Sequence, residues 1–145
     1  MPSWLLVVLQ FALIGWLIVD TQPLATPLAN ALAFAPVAAG SVAGIAALAA
    51  NRPGNFNVRP EVKPGARLVT DGIYAHVRHP MYLAVLLVMA AALAADPRPL
   101  RVLAWLALLA VLLAKAAREE RDLRALHPGY SDYCARTRRL IPGVY

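Results

Sequence analysis

Residues 81–114 read MYLAVLLVMAAALAADPRPLRVLAWLALLAVLLA. Two apolar runs, Met81–Ala95 and Leu100–Ala114, flank Asp96-Pro97-Arg98-Pro99. That connection is too small for anything but a tight turn, so the pattern predicts a helical hairpin. A membrane-spanning helix needs roughly 20 mostly apolar residues, and both runs approach this. No Gly or Pro interrupts Lys115–Leu126, so the second helix should continue past the bilayer. Working outward, two more apolar segments precede the hairpin. Ser3–Val19 is closed by Asp20 and Pro23, and Pro27–Ala50 by Asn51, Arg52, Pro53 and Gly54. The fold class predicted is an all-α integral membrane protein with about four transmembrane helices. Residues 1–50 supply two of them, and residues 51–145 form a second region of loop, hairpin and C-terminal segment.

Composition agrees. Of the 145 residues, 60% are hydrophobic and 15% charged, against about 25% charged in an ordinary soluble domain. No Lys or Arg precedes Trp4–Val19, so this run lacks the basic flank of a signal peptide and reads as a retained helix. The net charge of +6 is concentrated in residues 51–78 and 115–139. Both blocks adjoin apolar runs, which points to a lipid headgroup surface and not to nucleic acid. The segment between the first two helices has no Lys or Arg, and the hairpin turn has only Arg98 and Arg101. The positive-inside rule then places both basic blocks, and both termini, in the cytoplasm. Cys134 stands alone, so it forms no intramolecular disulfide. The three His and one Cys lack metal-ligand spacing.

Polar residues gather at the mouth of the hairpin. Asp71-Gly72 is a turn signal, and Tyr74, His76, Arg78, His79 and Tyr82 follow it. Pro80 suits the first turn of a helix, where its missing N–H costs nothing. An interfacial belt of Tyr, His and Arg would explain these residues one by one. It does not explain Glu119 and Glu120, placed where the fourth helix leaves the bilayer, since carboxylates are poor neighbours for an anionic surface. Taken together, the two groups predict a cytoplasmic polar pocket over the hairpin. Gly40 and Gly44 form a small-xxx-small spacing suited to close helix packing.

The run from Leu68 to Tyr82 resembles the G-x-Y-x-x-x-R-H-P-x-Y signature of the isoprenylcysteine carboxyl methyltransferases and their phospholipid methyltransferase relatives. Glu119-Glu120, Leu123, Tyr130, Tyr133 and Ile141-Pro142 resemble their second signature, and Asn55-Phe56-Asn57 also fits. The Phe-Gly of that second signature is replaced here by Leu126-His127-Pro128-Gly129. The resemblance covers about residues 51–145. It implies a methyltransferase using S-adenosyl-L-methionine on a hydrophobic, membrane-associated acceptor.

The resemblance also implies site residues. Arg59, Ala66, Arg67, Leu68 and Val69 would cover the cofactor, with His79, Pro80, Met81 and Tyr82 at the hairpin mouth. Arg78, His76 or His79 could meet the cofactor carboxylate. Glu119, and after it Glu120, could meet its ribose hydroxyls and ammonium. Tyr74 or Tyr82 could face its sulfonium. Arg78 and Glu119 are the candidates for a part in catalysis, which is otherwise positioning. Lys115 occupies a place where eukaryotic members carry an Arg turned towards the prenylated substrate. Two other functions fit a protein of this kind: a membrane reductase using NADPH, and a non-catalytic membrane protein. An apolar acceptor should arrive sideways through the bilayer, and Ala84, Ala90 and Ala91 leave room for a gap beside the second helix.

Overall fold

The computed structural model describes residues 2–19, 27–51, 59, 61 and 67–144. Ala66 and Asn55-Phe56-Asn57 lie outside the described residues. The described chain forms α1 (Ser3–Val19), α2 (Pro27–Ala50), a single 3₁₀ turn (Gly72–Ala75), α3 (Pro80–Ala95), α4 (Pro99–Leu126) and α5 (Tyr130–Arg136). Pro80 and Pro99 each open a helix, where the fixed φ helps and no hydrogen bond is lost. The hairpin and the continuation of α4 past Ala114 follow the sequence. Helix α5 does not: the sequence predicts no helix over Tyr130–Arg136.

Two helices are long and apolar enough to cross a membrane, over Leu32–Ala50 and Pro99–Leu126. Helices α1 and α3 are apolar but shorter, at 17 and 16 residues. At 1.5 Å per residue they reach about 25 Å, near the lower limit for a hydrocarbon core of about 30 Å.

Leu17, Leu86, Met89, Leu108, Leu112 and Leu140 form an apolar core, but the outer surface is unlike that of a soluble bundle. Trp4, Val8 and Phe11 on α1, Phe34, Val42 and Ile45 on α2, and Leu103 and Leu106 on α4 all point outward. Gln10, His79, Arg101, Lys115 and Glu120 are buried. In water that outer surface would be a large aggregation liability. Against acyl chains it costs nothing, and the polar groups must find one another inside.

Helix α2 packs chiefly on α3, and α1 chiefly on α4. The α2–α3 contact depends on Gly40. A Cβ there would lie 2.9 Å from both the Ala84 carbonyl oxygen and Val88 Cγ2. Gly44 is less constrained, with only Ala84 Cβ near, at 3.5 Å. The small residues therefore close this crossing. Ala84 is buried in it, Ala91 is also buried and Ala90 is half-buried.

At the hairpin turn Arg98 pairs with Asp96 at 2.7 Å. The fully buried Arg101 donates to the Leu17 carbonyl oxygen at 2.8 Å, tying the end of α1 to the start of α4. At the opposite end the chain after α5 runs back beside the segment before α3. Val77 and Arg138 form an isolated parallel bridge. Arg138 N donates to His76 O at 3.0 Å, Arg78 N to Arg138 O at 2.8 Å, and His79 N to Arg139 O at 3.1 Å. These bonds bring the Arg78-His79-Pro80 corner over the polar continuation of α4.

Candidate functional site

Glu120 is the centre of the site. Its carboxylate is fully buried, and Arg78 Nε donates to its Oε1 at 2.9 Å. Arg139 donates to both oxygens, at 3.1 and 2.8 Å. His79 Nε2 lies 3.2 Å from Oε1, and Arg124 3.6 Å from Oε2. A buried carboxylate without partners would be untenable; here each oxygen is met by a cation. Arg78 also reaches the chain after α5, donating from Nη1 to the carbonyl oxygens of Thr137 at 2.7 Å and Cys134 at 3.3 Å. Thr137 in turn donates its hydroxyl to Tyr133 O at 2.7 Å. One carboxylate thus joins α4, the corner before α3 and the C-terminal segment.

Glu119 is placed differently. Its side chain is 21% exposed against 0% for Glu120. The Tyr82 hydroxyl donates to it, and His79 Nδ1 is 3.3 Å from Oε2. His79 therefore lies between two carboxylates, each facing one ring nitrogen. Its ring stacks on Tyr82 with centroids 5.4 Å apart and planes 3° from parallel. Burial works against a charged imidazolium, but the contacts with Glu119 and Glu120 outweigh it and raise the His79 pKa above its ordinary value.

Lys115 lies one turn deeper on α4. Its Nζ sits 5.4 Å from the centroid of the Tyr82 ring and donates to Gln10 Oε1 of α1 at 2.5 Å. A polar chain therefore runs from Gln10 through Lys115, Tyr82 and Glu119 to His79 and Glu120.

The structure brings together Arg78, His79, Pro80, Tyr82, Lys115, Glu119 and Glu120. Pro80 is buried and Met81 half-buried beside them. Arg78 turns its guanidinium to Glu120 and the backbone after α5. Tyr74 is half-buried in the 3₁₀ turn, and its carbonyl oxygen accepts the Tyr133 hydroxyl at 2.7 Å. Tyr130 and Tyr133 are packing residues, buried to 1% and 4% exposure. His76 is exposed, and the structure does not place its side chain in the cluster. Arg59 and Arg67 are also exposed, while Leu68 and Val69 are half-buried in irregular backbone. The departure at Leu126–Gly129 is the joint between α4 and α5: His127 N donates to Leu123 O at 2.9 Å, and Gly129 precedes the first residue of α5.

Sequence reasoning missed Gln10, Thr137 and Arg139 as members. Gln10 carried a readable signal as the lone amide within an apolar run, since a polar residue at membrane depth marks a contact by default. Thr137 and Arg139 carried none, because only the return of the chain after α5 sets them beside Arg78.

No curated protein matches the chain at a significant level. A family profile does match, over residues 31–125, about two thirds of the chain. The matched stretch runs from α2 to the end of α4, holds the Arg78-His79-Pro80 corner and the Glu119-Glu120 pair, and stops short of α5. On that match the chain belongs to the isoprenylcysteine carboxyl methyltransferase family.

Proposed function

We propose that this chain is an integral membrane methyltransferase that takes its methyl group from S-adenosyl-L-methionine and acts on a hydrophobic or membrane-associated acceptor. The observation that carries the reading is the unequal pair of carboxylates. Glu120 is sealed among Arg78, Arg139 and His79 and holds the site's walls together. Glu119 reaches the rim, with Tyr82 and His79 fixing its direction. A partly exposed carboxylate beside stacked aromatic rings fits the ammonium or ribose hydroxyls of this cofactor and, through the ring faces, its sulfonium.

When bound, the cofactor supplies a methyl carbon on a sulfonium with a neutral leaving group. The protein's work is then positioning and exclusion of water. Glu119, Tyr82 and His79 would hold the cofactor, with the Arg67–Val69 backbone beside them. Arg78 and Glu120 are positioning residues. Lys115, steadied by Gln10, would face the acceptor from the membrane side. In this reading all four long helices cross the bilayer. Both termini and residues 51–78 are cytoplasmic, so the cofactor arrives from water and the acceptor from lipid.

A reductase using NADPH would have to seat phosphates beside the Glu119 carboxylate, which disfavours it. Titration of the purified protein with S-adenosyl-L-methionine and with NADPH separates the readings. We expect binding of the first alone, weakened about tenfold or more in Glu119→Ala, the size of a lost hydrogen bond to a charged group. Binding of NADPH alone would establish the reductase, and binding of neither a non-catalytic protein.

A further inference from the structure

Both ring nitrogens of His79 face carboxylates. Nδ1 lies 3.3 Å from Glu119 Oε2, and Nε2 lies 3.2 Å from Glu120 Oε1. A neutral imidazole carries one N–H and one bare electron pair. Either tautomer would aim that pair at a carboxylate oxygen, and the side chain is only 5% exposed, so water cannot soften the conflict. The doubly protonated ring donates at both ends. The extra proton belongs on the ring, because each carboxylate already accepts from another donor: Glu120 from Arg78 and Arg139, Glu119 from the Tyr82 hydroxyl. Among the described residues, the other charged and titratable groups of the cluster face the carboxylates or Tyr82. Arg78, from the same corner, Arg139, from the chain after α5, and Arg124 of α4 meet Glu120. Lys115 of α4 lies over the Tyr82 ring, and the Tyr74 hydroxyl of the 3₁₀ turn senses the Glu119 charge. Burial opposes the imidazolium, yet the two carboxylates hold the His79 pKa above its ordinary value of about 6.5.

The two ends of the ring are not equivalent. Glu120 is sealed, and its Oε1 is shared by His79, Arg78 and Arg139 at 3.2, 2.9 and 3.1 Å. Glu119 reaches the rim, so a ligand cation that meets it competes with Nδ1–H for one carboxylate. The stack of His79 on Tyr82 adds a second conflict, since an imidazolium repels a cation over its ring face and a neutral ring does not. We propose that the unliganded site holds an imidazolium bridging Glu119 and Glu120, and that a cation takes Glu119 in exchange for the His79 Nδ1 proton. The Nδ1–H bond breaks, its electron pair stays on nitrogen, and the proton leaves to water past the partly exposed Glu119. The ring keeps its Nε2–H on Glu120, and Nδ1 changes from donor to acceptor. His79 is thus a positioning residue whose charge sets the pH dependence of binding. The cation is that of S-adenosyl-L-methionine, so the exchange rests on the proposed cofactor.

Two measurements on the full chain in neutral detergent test this. In the unliganded protein, the imidazole nitrogen resonances of His79, assigned by their loss in His79→Gln, should show both nitrogens protonated near neutral pH. Glu119→Gln removes the charge facing Nδ1 and should lower the pH at which His79 loses that proton by about one unit or more. Titration calorimetry with S-adenosyl-L-methionine, in buffers of different ionisation enthalpy and at a pH where His79 is charged, should show release of about one proton per cofactor bound. Affinity should rise with pH, by up to about tenfold per unit, and level off once His79 is neutral in the free protein. In His79→Gln the proton release and the pH slope should both vanish. Should that variant not fold, His76→Gln and His127→Gln assign His79 by elimination, and the unsubstituted protein decides alone. A singly protonated ring near neutral pH, an unmoved His79 in Glu119→Gln, or cofactor binding without proton release overturns the exchange and leaves the cofactor standing. Absence of cofactor binding at every pH, with His79 doubly protonated in the free protein, overturns the cofactor and the exchange with it.

Discussion

Helix α3 is joined to the molecule by opposite means on its two sides. Towards α2 the seam is dry: Gly40 lets the backbones meet, with Ala84 and Val88 filling the remaining space. Towards α4 the seam is polar at the N-terminal end of α3, where Tyr82 and His79 meet Glu119 and Glu120. The contact of α4 with α1 is polar too, through Lys115 and Gln10 and through Arg101 and the Leu17 carbonyl. In lipid, apolar burial between helices gains little, because acyl chains are as apolar as Leu. Helices then associate through close backbone approach or through hydrogen bonds. This protein uses one device on each side. The dry seam packs α2 closely on α3. The polar side carries the groups proposed to hold the cofactor, so in that reading stability and function draw on the same residues there and separate ones at α2.

The largest effect should come from the polar side. Glu120→Ala leaves the buried His79 and the half-buried Arg78 and Arg139 around a missing charge, and breaking a fully buried ion pair costs about 3–5 kcal/mol, an upper bound here. Glu119→Ala, at the rim, should cost far less stability, whatever its expected effect on binding of the proposed cofactor. Unfolding of both variants in detergent checks this. Equal destabilisation by the two would mean that the carboxylates share one structural role and would erase the division of labour between them.

On the dry seam, Gly40→Ala should reverse the usual sign of a glycine substitution. In an exposed helix interior Ala is favoured over Gly by about 1 kcal/mol. At Gly40 the added Cβ meets a backbone oxygen at 2.9 Å, and overpacking costs about 1–3 kcal/mol. Gly15→Ala on α1 is the matched control, with nothing within 4 Å of the added carbon. Loss of stability at Gly40 with none at Gly15 supports a seam held by close approach. Equal tolerance would break the comparison.

Much of this was legible in the sequence, and the rest has identifiable causes. Apolar run length and proline position are local signals, so the hairpin and the ends of α1 and α2 could be read directly. The small-residue stripe was legible as packing, but not that Gly40 leaves no room for a Cβ while Gly44 does. That difference depends on the rotation of α2 against α3. The same ignorance of rotation left open which of Ala84, Ala90 and Ala91 faces α2; the structure sets Ala84 there. Glu119 and Glu120 are adjacent and chemically identical, and helical geometry alone sends one inward and one to the rim. Arg139 and Thr137 could not be found at all, because they join the site through a bridge between residues 77 and 138, a pairing with no local signature.

The smallest effect tests whether the polar side is held by specific partners or merely tolerates polar groups. Gln10 and Lys115 meet at 2.5 Å across α1 and α4. Hydrogen bonds between membrane helices average only about 0.6 kcal/mol by double-mutant cycle and reach about 1.7, because a group deprived of its partner usually finds another. Lys115 has an alternative close by in the Tyr82 ring. Gln10→Leu and Lys115→Met, alone and together, should therefore give a coupling energy of about 0.5–1.5 kcal/mol in unfolding measurements. Gln10→Leu should leave affinity for S-adenosyl-L-methionine unchanged, since Gln10 bonds to Lys115 and Glu119 is held by Tyr82 and His79, but should lower turnover of an apolar acceptor if Lys115 faces it. A coupling near zero would mean that α1 is held to α4 by Arg101 and apolar packing alone, and that the polar chain ends at Lys115.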